Sequence, residues 1–267
     1  FTVNERKRMY YESGMMSKCR MANYYAMMNR REDPETERAQ RFTCYNHSGH
    51  IWAEIGNEKC LIDTGTLTSF GEISELLLCG QRFCLQPDYL GHDVSELGKL
   101  VGTRISALIG VDILNKFDTV IDIAEGTVAF VGKSIPFHGV PIPTRYFQGI
   151  PIVRCMVGNQ EFDLFLDSGA KLSFLDPSIS STYERIGEDT DFFPGFGEFR
   201  TDTYRVPLVI GAESLELGVG VLPGILQMTL LLAKANGIIG SALFNEFAVC
   251  LSAREGGVTI KKHLDGL

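Results

Sequence analysis

A repeat within the chain limits its fold more than any other feature of the sequence. Residues 107–130 align without a gap on residues 237–260, at an offset of 130. Seven of the 24 positions are identical, and most of the others keep their apolar character. Such self-similarity indicates that one structural unit occurs twice. The identical pairs are Ile109/Ile239, Gly110/Gly240, Asn115/Asn245, Phe117/Phe247, Glu125/Glu255, Gly126/Gly256 and Val128/Val258.

Each half also contains an apolar run that leads into an acidic residue, a small hydroxyl residue and a glycine. The first is Asp63-Thr64-Gly65 and the second is Asp167-Ser168-Gly169. One such triplet alone is an ordinary turn sequence. Two of them, each followed at a distance by an apolar segment ending at Gly110 or Gly240, indicate a site shared by the halves. Paired carboxylates suit such a site, because two equivalent halves can each supply one.

The two halves differ in length at one place. The acidic residues lie 104 positions apart, whereas Gly80 and Gly211, which each end an apolar strand, lie 131 apart. The additional residues of the second half therefore fall between Ala170 and Gly211. This insertion has a glycine-rich tip flanked by aromatic residues, which predicts a mobile β-hairpin able to cover a ligand. The residues expected to do so are Phe193, Phe196, Gly197 and Phe199.

Composition divides the chain into four segments. The first 42 residues contain six of the eight methionines, which predicts a helical extension that packs on the body or lies over the cleft as a prosegment. Strand and turn patterns follow, and residues 131–151 are rich in Pro and Gly, as expected of a connection. We therefore predict an all-β fold with a helical extension (1–42), a first lobe (43–135), a connection (136–150) and a second lobe (151–267).

Charge and hydropathy limit the partners. The formal net charge of −8 argues against a nucleic-acid partner, since the chain has no overall basic field. No apolar run is long enough to span a membrane. The run from Ile225 to Ala233 suits a membrane contact less well than a buried helix. We expect a monomer.

Cysteine and histidine patterns give no metal or cofactor site. Seven cysteines without a CxxC pair argue against a zinc site or a disulfide framework and favour a reducing compartment, although one or two bridges stay open. The chain starts at Phe1 without Met, which allows a processed or truncated protein. The two histidines of His47-Ser48-Gly49-His50 have no Cys or acidic cluster nearby, so a solvated loop is expected there rather than metal ligands.

Together these features resemble the aspartic proteases of the pepsin-like and retropepsin-like superfamily. Two Asp–hydroxyl–Gly triplets on one chain are similar to the pepsin-like arrangement, whereas each half, including Ala107–Leu114, resembles a retropepsin unit. The resemblance covers about residues 43–262. It implies a two-lobed fold of β-barrels with Asp63 and Asp167 as the catalytic pair and with a peptide or protein as the substrate.

The resemblance also implies roles for the neighbouring residues. The hydroxyl side chains of Thr64 and Ser168 would lock the two loops together. Gly65 and Gly169 would let the backbone pass beneath the carboxylates. Gly110 and Gly240 would lie on the strand that threads each loop. The insertion would be the flap, although pepsin-like enzymes carry the recognised flap in the first lobe and this chain carries it in the second.

Three functional hypotheses follow. The leading one is an aspartic endopeptidase, a hydrolase in which a water molecule is activated between Asp63 and Asp167. The alternative is a catalytically silent, protease-like protein that binds peptides or acts as a scaffold. The third is a zymogen that residues 1–42 inhibit. Ala170 replaces a hydroxyl residue after Gly169, which in the related enzymes can make the optimum pH less acidic.

Overall fold

Two large β-sheets make up most of the protein in the computed structural model, which describes residues 39–132, 137–193, 197–252 and 256–263. The predominance of strands confirms the expected all-β class. The predicted helical extension (1–42) lies outside the described residues up to residue 38. Its last positions belong to a strand that begins at Gln40, so the first sheet starts before the predicted boundary at residue 43.

The first half is a series of hairpins with two short helices. Strands β1 to β3 pair as antiparallel neighbours, and β9 lies parallel to β3. The elements in chain order are β1 (Gln40–His47), β2 (His50–Ile55), β3 (Glu58–Ile62), β4 (Phe70–Gly71), β5 (Glu75–Leu78), β6 (Gln81–Cys84), β7 (Asp88–Tyr89), β8 (His92–Asp93), α1 (Val94–Leu100), β9 (Ala107–Ile109), α2 (Val111–Leu114), β10 (Asp118–Asp122) and β11 (Thr127–Val131).

The second half repeats this order and adds longer strands. The elements are β12 (Val140–Ile142), β13 (Thr144–Phe147), β14 (Ile150–Val157), β15 (Gln160–Leu166), β16 (Ser173–Leu175), α3 (Pro177–Ser180), β17 (Glu184–Phe193), β18 (Gly197–Ile210), β19 (Glu213–Gly220), α4 (Gly224–Ala233), β20 (Gly237–Ile239), α5 (Leu243–Glu246), β21 (Phe247–Ser252) and β22 (Gly257–Lys262). Strands β14, β15, β20, β16, β19 and β18 pair in that order, and β18 pairs again with β14, which closes a ring of six strands.

One sheet joins the two halves. Its ten strands run in the order β12-β22-β21-β10-β11-β1-β2-β3-β9-β4, so the last hairpin of the second half pairs with β10 of the first. The predicted connection (136–150) is more regular than its Pro and Gly content suggested. It contains β12, which pairs with β22, and β13, which pairs with β14. Prolines are tolerated in this segment because β12 and β13 are edge strands, and an edge strand needs fewer backbone N–H donors.

Two tight turns project from equivalent hairpins. Ser48 and Gly49 join β1 to β2 with φ values of 55° and 81°, and Gln148 and Gly149 join β13 to β14 with φ values of 52° and 89°. Positive φ at both central residues defines the two-residue turn that matches the twist of paired strands. The two hairpins therefore present the same backbone shape, one in each half.

The helix predicted over Ile225–Ala233 is present as α4, but the expectation that it is buried is wrong. Leu230 and Ala233 are buried, whereas four large apolar side chains lie between 59% and 74% exposed. These four are Ile225, Met228, Leu231 and Leu232. The reason is geometric, since a helix lying on a sheet surface can bury only one face. Among the described residues, no helix is long and apolar enough to cross a membrane.

Candidate active site

The two acidic triplets occupy equivalent places at the ends of two strands. Asp63 follows β3 and its backbone N–H donates to the Ile109 carbonyl at 3.0 Å. Asp167 follows β15 and donates in the same way to Ile239 at 2.9 Å. In each half a parallel strand, β9 or β20, therefore fixes where the acidic residue leaves its sheet.

Thr64 and Ser168 lock the two loops together through four reciprocal hydrogen bonds. The Thr64 hydroxyl donates to the Leu166 carbonyl at 2.6 Å and accepts from the Ser168 N–H at 2.9 Å. The Ser168 hydroxyl donates to the Ile62 carbonyl at 2.7 Å and accepts from the Thr64 N–H at 3.0 Å. Both side chains are fully buried. Because each hydroxyl serves the opposite half, the loops hold one another at a fixed separation.

Gly65 and Gly169 lie directly against the opposite carboxyl groups. A Cβ atom at Gly65 would collide with the carboxyl group of Asp167, and one at Gly169 would collide with that of Asp63. Only glycine therefore permits this approach. The two carboxyl groups are themselves within hydrogen-bonding reach of each other.

Gly110 and Gly240 lie where a strand passes behind each loop. A Cβ atom at Gly110 would lie 2.6 Å from the Thr66 carbonyl oxygen, and one at Gly240 would collide with that of Leu172. Their N–H groups donate to buried serine hydroxyls, that of Gly110 to Ser69 at 2.8 Å and that of Gly240 to Ser173 at 3.0 Å. The two threading segments are therefore built alike.

The surroundings of the two carboxylates are unequal. Asp63 accepts from the Gly65 N–H and from the Thr66 hydroxyl, both at 2.8 Å. Asp167 accepts from the N–H groups of Gly169 and Ala170, at 2.9 and 3.2 Å, and from no hydroxyl group of the residues that the structure describes. Burial raises the pKa of Asp63, and burial followed by the charge of Asp63 raises the pKa of Asp167 well above its usual range. Two buried carboxyl groups this close together favour a single shared proton.

His50 belongs to the site, although the sequence predicted a solvated loop. It is 3% exposed, and its Nδ1 donates to the Gly169 carbonyl at 3.0 Å. The adjacent Gly49 carbonyl accepts from the Ser241 hydroxyl at 2.7 Å. Burial lowers the pKa of His50, which favours the neutral ring, and the Gly169 carbonyl fixes the proton on Nδ1. The tip of the first hairpin thus supports the loop of the second half.

The equivalent tip in the second half docks reciprocally but without a histidine. The Gly149 carbonyl accepts from the Asn115 side chain at 2.8 Å, and Ile150 occupies the position that matches His50. Nothing in the local sequence identifies such docking, because the two-residue turn is visible but its target is not. A turn of this type in both halves is the one signal that could have drawn attention to His50.

The insertion between Ala170 and Gly211 contains strands β17 and β18, which pair as a hairpin that we call the long hairpin. Phe192 packs on the His50 ring with centroids 5.6 Å apart, so the hairpin contacts the first half. Phe199 contacts Phe174 at 6.0 Å. Gly197 begins β18 opposite Phe193, which is 45% exposed. The predicted flap residue Phe196 lies outside the described residues.

Three hydrogen bonds between the long hairpin and the Asp167 loop were not predicted. Lys171 donates to the Asp189 carboxylate at 2.7 Å and to the Thr190 carbonyl at 3.2 Å. Asp191 accepts from the Leu172 N–H at 3.1 Å. These contacts form only in the folded chain, because Leu172 and Asp191 lie 19 residues apart in the sequence.

Comparison with known proteins identifies no relative of this chain. No family model matches the chain, and no curated protein matches it. Within the described ranges, no group of three or more His, Cys, Asp or Glu side chains is arranged to hold a metal ion. The chemistry of the site therefore has to be inferred from Asp63, Asp167 and the residues that hold them.

Proposed function

We propose that this protein is an aspartic endopeptidase of the pepsin-like and retropepsin-like kind. One observation carries the proposal, namely that Thr64 and Ser168 hold two acidic loops face to face with their carboxyl groups within hydrogen-bonding reach. Two carboxyl groups so close together share a proton, and such a pair can both accept and donate one. A pair of simple turns would need neither the buried hydroxyl lock nor glycines beneath the carboxylates.

We assign the two roles from the unequal hydrogen bonds of the pair. Asp63 accepts from a hydroxyl and an N–H group, which favour its ionised form, so it is the general base. Asp167 lacks the hydroxyl donor and keeps the shared proton, so it is the general acid. The assignment describes the free enzyme, since the protonation states of a coupled pair belong to the pair.

Hydrolysis then proceeds without a covalent intermediate. Asp63 takes a proton from a water molecule held between the carboxyl groups while the water oxygen attacks the peptide carbonyl carbon. Asp167 donates its proton to the carbonyl oxygen, which gives a neutral tetrahedral diol. The peptide C–N bond then breaks, the nitrogen leaves with the proton that Asp63 took, and Asp167 regains a proton from the diol as the carboxylic acid product forms.

An extended peptide suits the surroundings of the pair. Strand β17 is the last strand of its sheet, so its outer backbone groups are open to another strand. The exposed ring of Phe193 lies next to the hairpin tip. A peptide laid along the long hairpin would gain main-chain hydrogen bonds and would bring its carbonyl to Asp63 and Asp167.

The direct test replaces each member of the pair. Asp63→Asn and Asp167→Asn are each expected to lower the rate of cleavage of denatured protein by about 10³-fold, because each removes one proton-transfer role. Cleavage is measured from acid to neutral pH, with and without pepstatin. Asp88→Asn is the matched control, since Asp88 is an exposed residue of β7 and its replacement makes the same change of charge.

Stability measurements separate loss of chemistry from loss of fold. The pKa of Asp167 is raised in the folded protein, so ionising this group opposes folding as the pH rises above its ordinary value. Asp167→Asn removes that group and is expected to raise the free energy of unfolding at pH 7. Full activity in either Asn variant contradicts the proposal. Binding of pepstatin without cleavage at any pH would instead support a silent peptide-binding protein.

A further inference from the structure

Asp191 is a buried acidic residue on the long hairpin that hydrolysis does not require. Asp191 is only 5% exposed. One carboxylate oxygen accepts from the Leu172 N–H at 3.1 Å, and the other accepts from the N–H of its neighbour Phe192 at 2.8 Å. The carboxylate therefore connects β17 to the segment that leaves the Asp167 loop.

The charges around Asp191 do not explain its burial as an ion pair. Lys171 faces it from the Asp167 loop, but the Lys171 ammonium donates to Asp189 and to the Thr190 carbonyl. Asp189 faces it from β17, Asp167 from the loop, and neutral His50 lies beyond Phe192. Burial raises the pKa of Asp191 to about 6. The two N–H groups bond to different carboxylate oxygens, and an Asn has only one acceptor oxygen, so only an acidic side chain satisfies both donors.

The first half fixes the corresponding segment differently. There Asp112 of α2 accepts from the Ser69 N–H at 2.9 Å and from the Ser69 hydroxyl at 2.6 Å. Asp112 belongs to the same half and to the helix next to the loop, so that contact is fixed with the fold. In the second half the acidic residue comes from a hairpin, so the contact exists only while the hairpin lies on the loop.

We propose that Asp191 is a positioning residue that fastens the long hairpin to the Asp167 loop and places a second negative charge beside Asp167. The fastening stands on geometry alone, whereas its effect on turnover rests on the proposed endopeptidase function. Burial, the charge of Asp63 and, more weakly, the charge of Asp191 raise the pKa of Asp167. Asp191 thereby helps Asp167 to keep its proton when the hairpin is in place.

Amide exchange of the full chain tests the fastening without any substrate. Asp191→Ala is expected to raise the exchange rate of the Leu172 N–H about tenfold or more, because that group loses its acceptor. Asp191→Asn keeps one acceptor oxygen, which can accept from the Leu172 N–H in place of the Phe192 N–H, so this rate is expected to rise less than in Asp191→Ala. The Thr64 N–H, bonded to Ser168, reports whether the loops stay intact. Asp202→Asn, on β18 of the same hairpin and paired with Arg185, is the matched control.

A pH titration of the Asp167 carboxyl carbon by NMR tests the effect of the Asp191 charge. It uses Asp191→Asn, so it does not require Asp191→Ala to fold. In Asp191→Asn, Asp167 is expected to titrate at lower pH than in the wild type, and in Asp202→Asn at an unchanged pH. If the protein cleaves peptides, the basic limb of its pH profile should move the same way. A Leu172 exchange rate unchanged in a folded Asp191→Ala, or an Asp167 titration unchanged in Asp191→Asn, would overturn the proposal.

The two proposals fail separately. Absence of cleavage in the wild type removes the endopeptidase function but leaves the exchange and titration results as they are. Cleavage with an unchanged Asp167 titration in Asp191→Asn keeps the endopeptidase function and removes the role of Asp191.

Discussion

The loops that carry Asp63 and Asp167 share a backbone frame and differ in one side chain that affects the pKa of the acidic residue. Both loops use the same strand contact, the same reciprocal hydroxyl lock and the same glycine beneath the opposite carboxylate. Only the Asp63 loop ends in a hydroxyl donor, from Thr66, where the other loop has Ala170. Duplication thus places two carboxylates symmetrically, and the difference between Thr66 and Ala170 is one of the causes that make their pKa values unequal.

The halves also differ in what lies over the loops. The hairpin of β5 and β6 in the first half has only four residues in each strand. The long hairpin of the second half reaches back to Leu172 and across to His50. Symmetry is therefore kept where the carboxylates are held and is lost where a substrate would be covered.

Breaking the symmetric part should have the largest effect on stability. Thr64→Val keeps the shape of the side chain but leaves the Leu166 carbonyl and the Ser168 N–H without their partner. Since each buried unsatisfied group costs roughly 1–3 kcal/mol, the free energy of unfolding should fall by about 3 kcal/mol. Urea unfolding measures the loss.

Thr119→Val is the matched control for that experiment. Thr119 is also fully buried, but its hydroxyl makes one long bond, to the Leu114 carbonyl at 3.3 Å. The expected loss is about 1 kcal/mol. Equal losses in Thr64→Val and Thr119→Val would show that the lock between the loops contributes nothing beyond an ordinary buried hydroxyl.

Exchanging the unequal side chains should move pH limits rather than stability. Thr66→Ala removes a donor that lowers the pKa of Asp63, so the acid limb of the cleavage profile should move to higher pH. Ala170→Thr offers Asp167 the donor that Asp63 has, so the basic limb should move to lower pH. Opposite shifts, or no shift in either variant, would contradict the assignment of base and acid.

The sequence was sufficient for the symmetric part of the site. The Asp pair, its hydroxyl partners and the four glycines recur at fixed spacing, because a repeated backbone frame needs the same small residues at the same close approaches. The structure places all eight of these residues around one point. The long hairpin was also predictable, as an excess length between Ala170 and Gly211.

The contacts between distant segments were not predictable. His50 looks like a loop residue because its partner, Gly169, lies 119 positions away. Asp191 looks like any acidic residue of an insertion until β17 is folded back on Leu172. The Pro-rich connection was expected to be irregular, yet its strands extend both sheets, because pairing with β22 and β14 outweighs local preference.

The smallest expected effect concerns the two equivalent helices that precede β9 and β20. Helix α1 turns Glu96 and Lys99 to solvent, whereas α4 turns Leu231 and Leu232, at 69% and 74% exposure. Leu232→Glu should therefore change the free energy of unfolding by less than about 0.5 kcal/mol.

Leu230→Ala is the contrasting variant on the same helix. Leu230 is 8% exposed and packs in the cluster around Phe174, so its truncation should cost about 2–3 kcal/mol in urea unfolding. A loss in Leu232→Glu as large as that in Leu230→Ala would mean that the apolar face of α4 is covered in the folded protein. The difference between α1 and α4 would then lie in what the outer face of each helix packs against, rather than in the polarity of a solvent-exposed face.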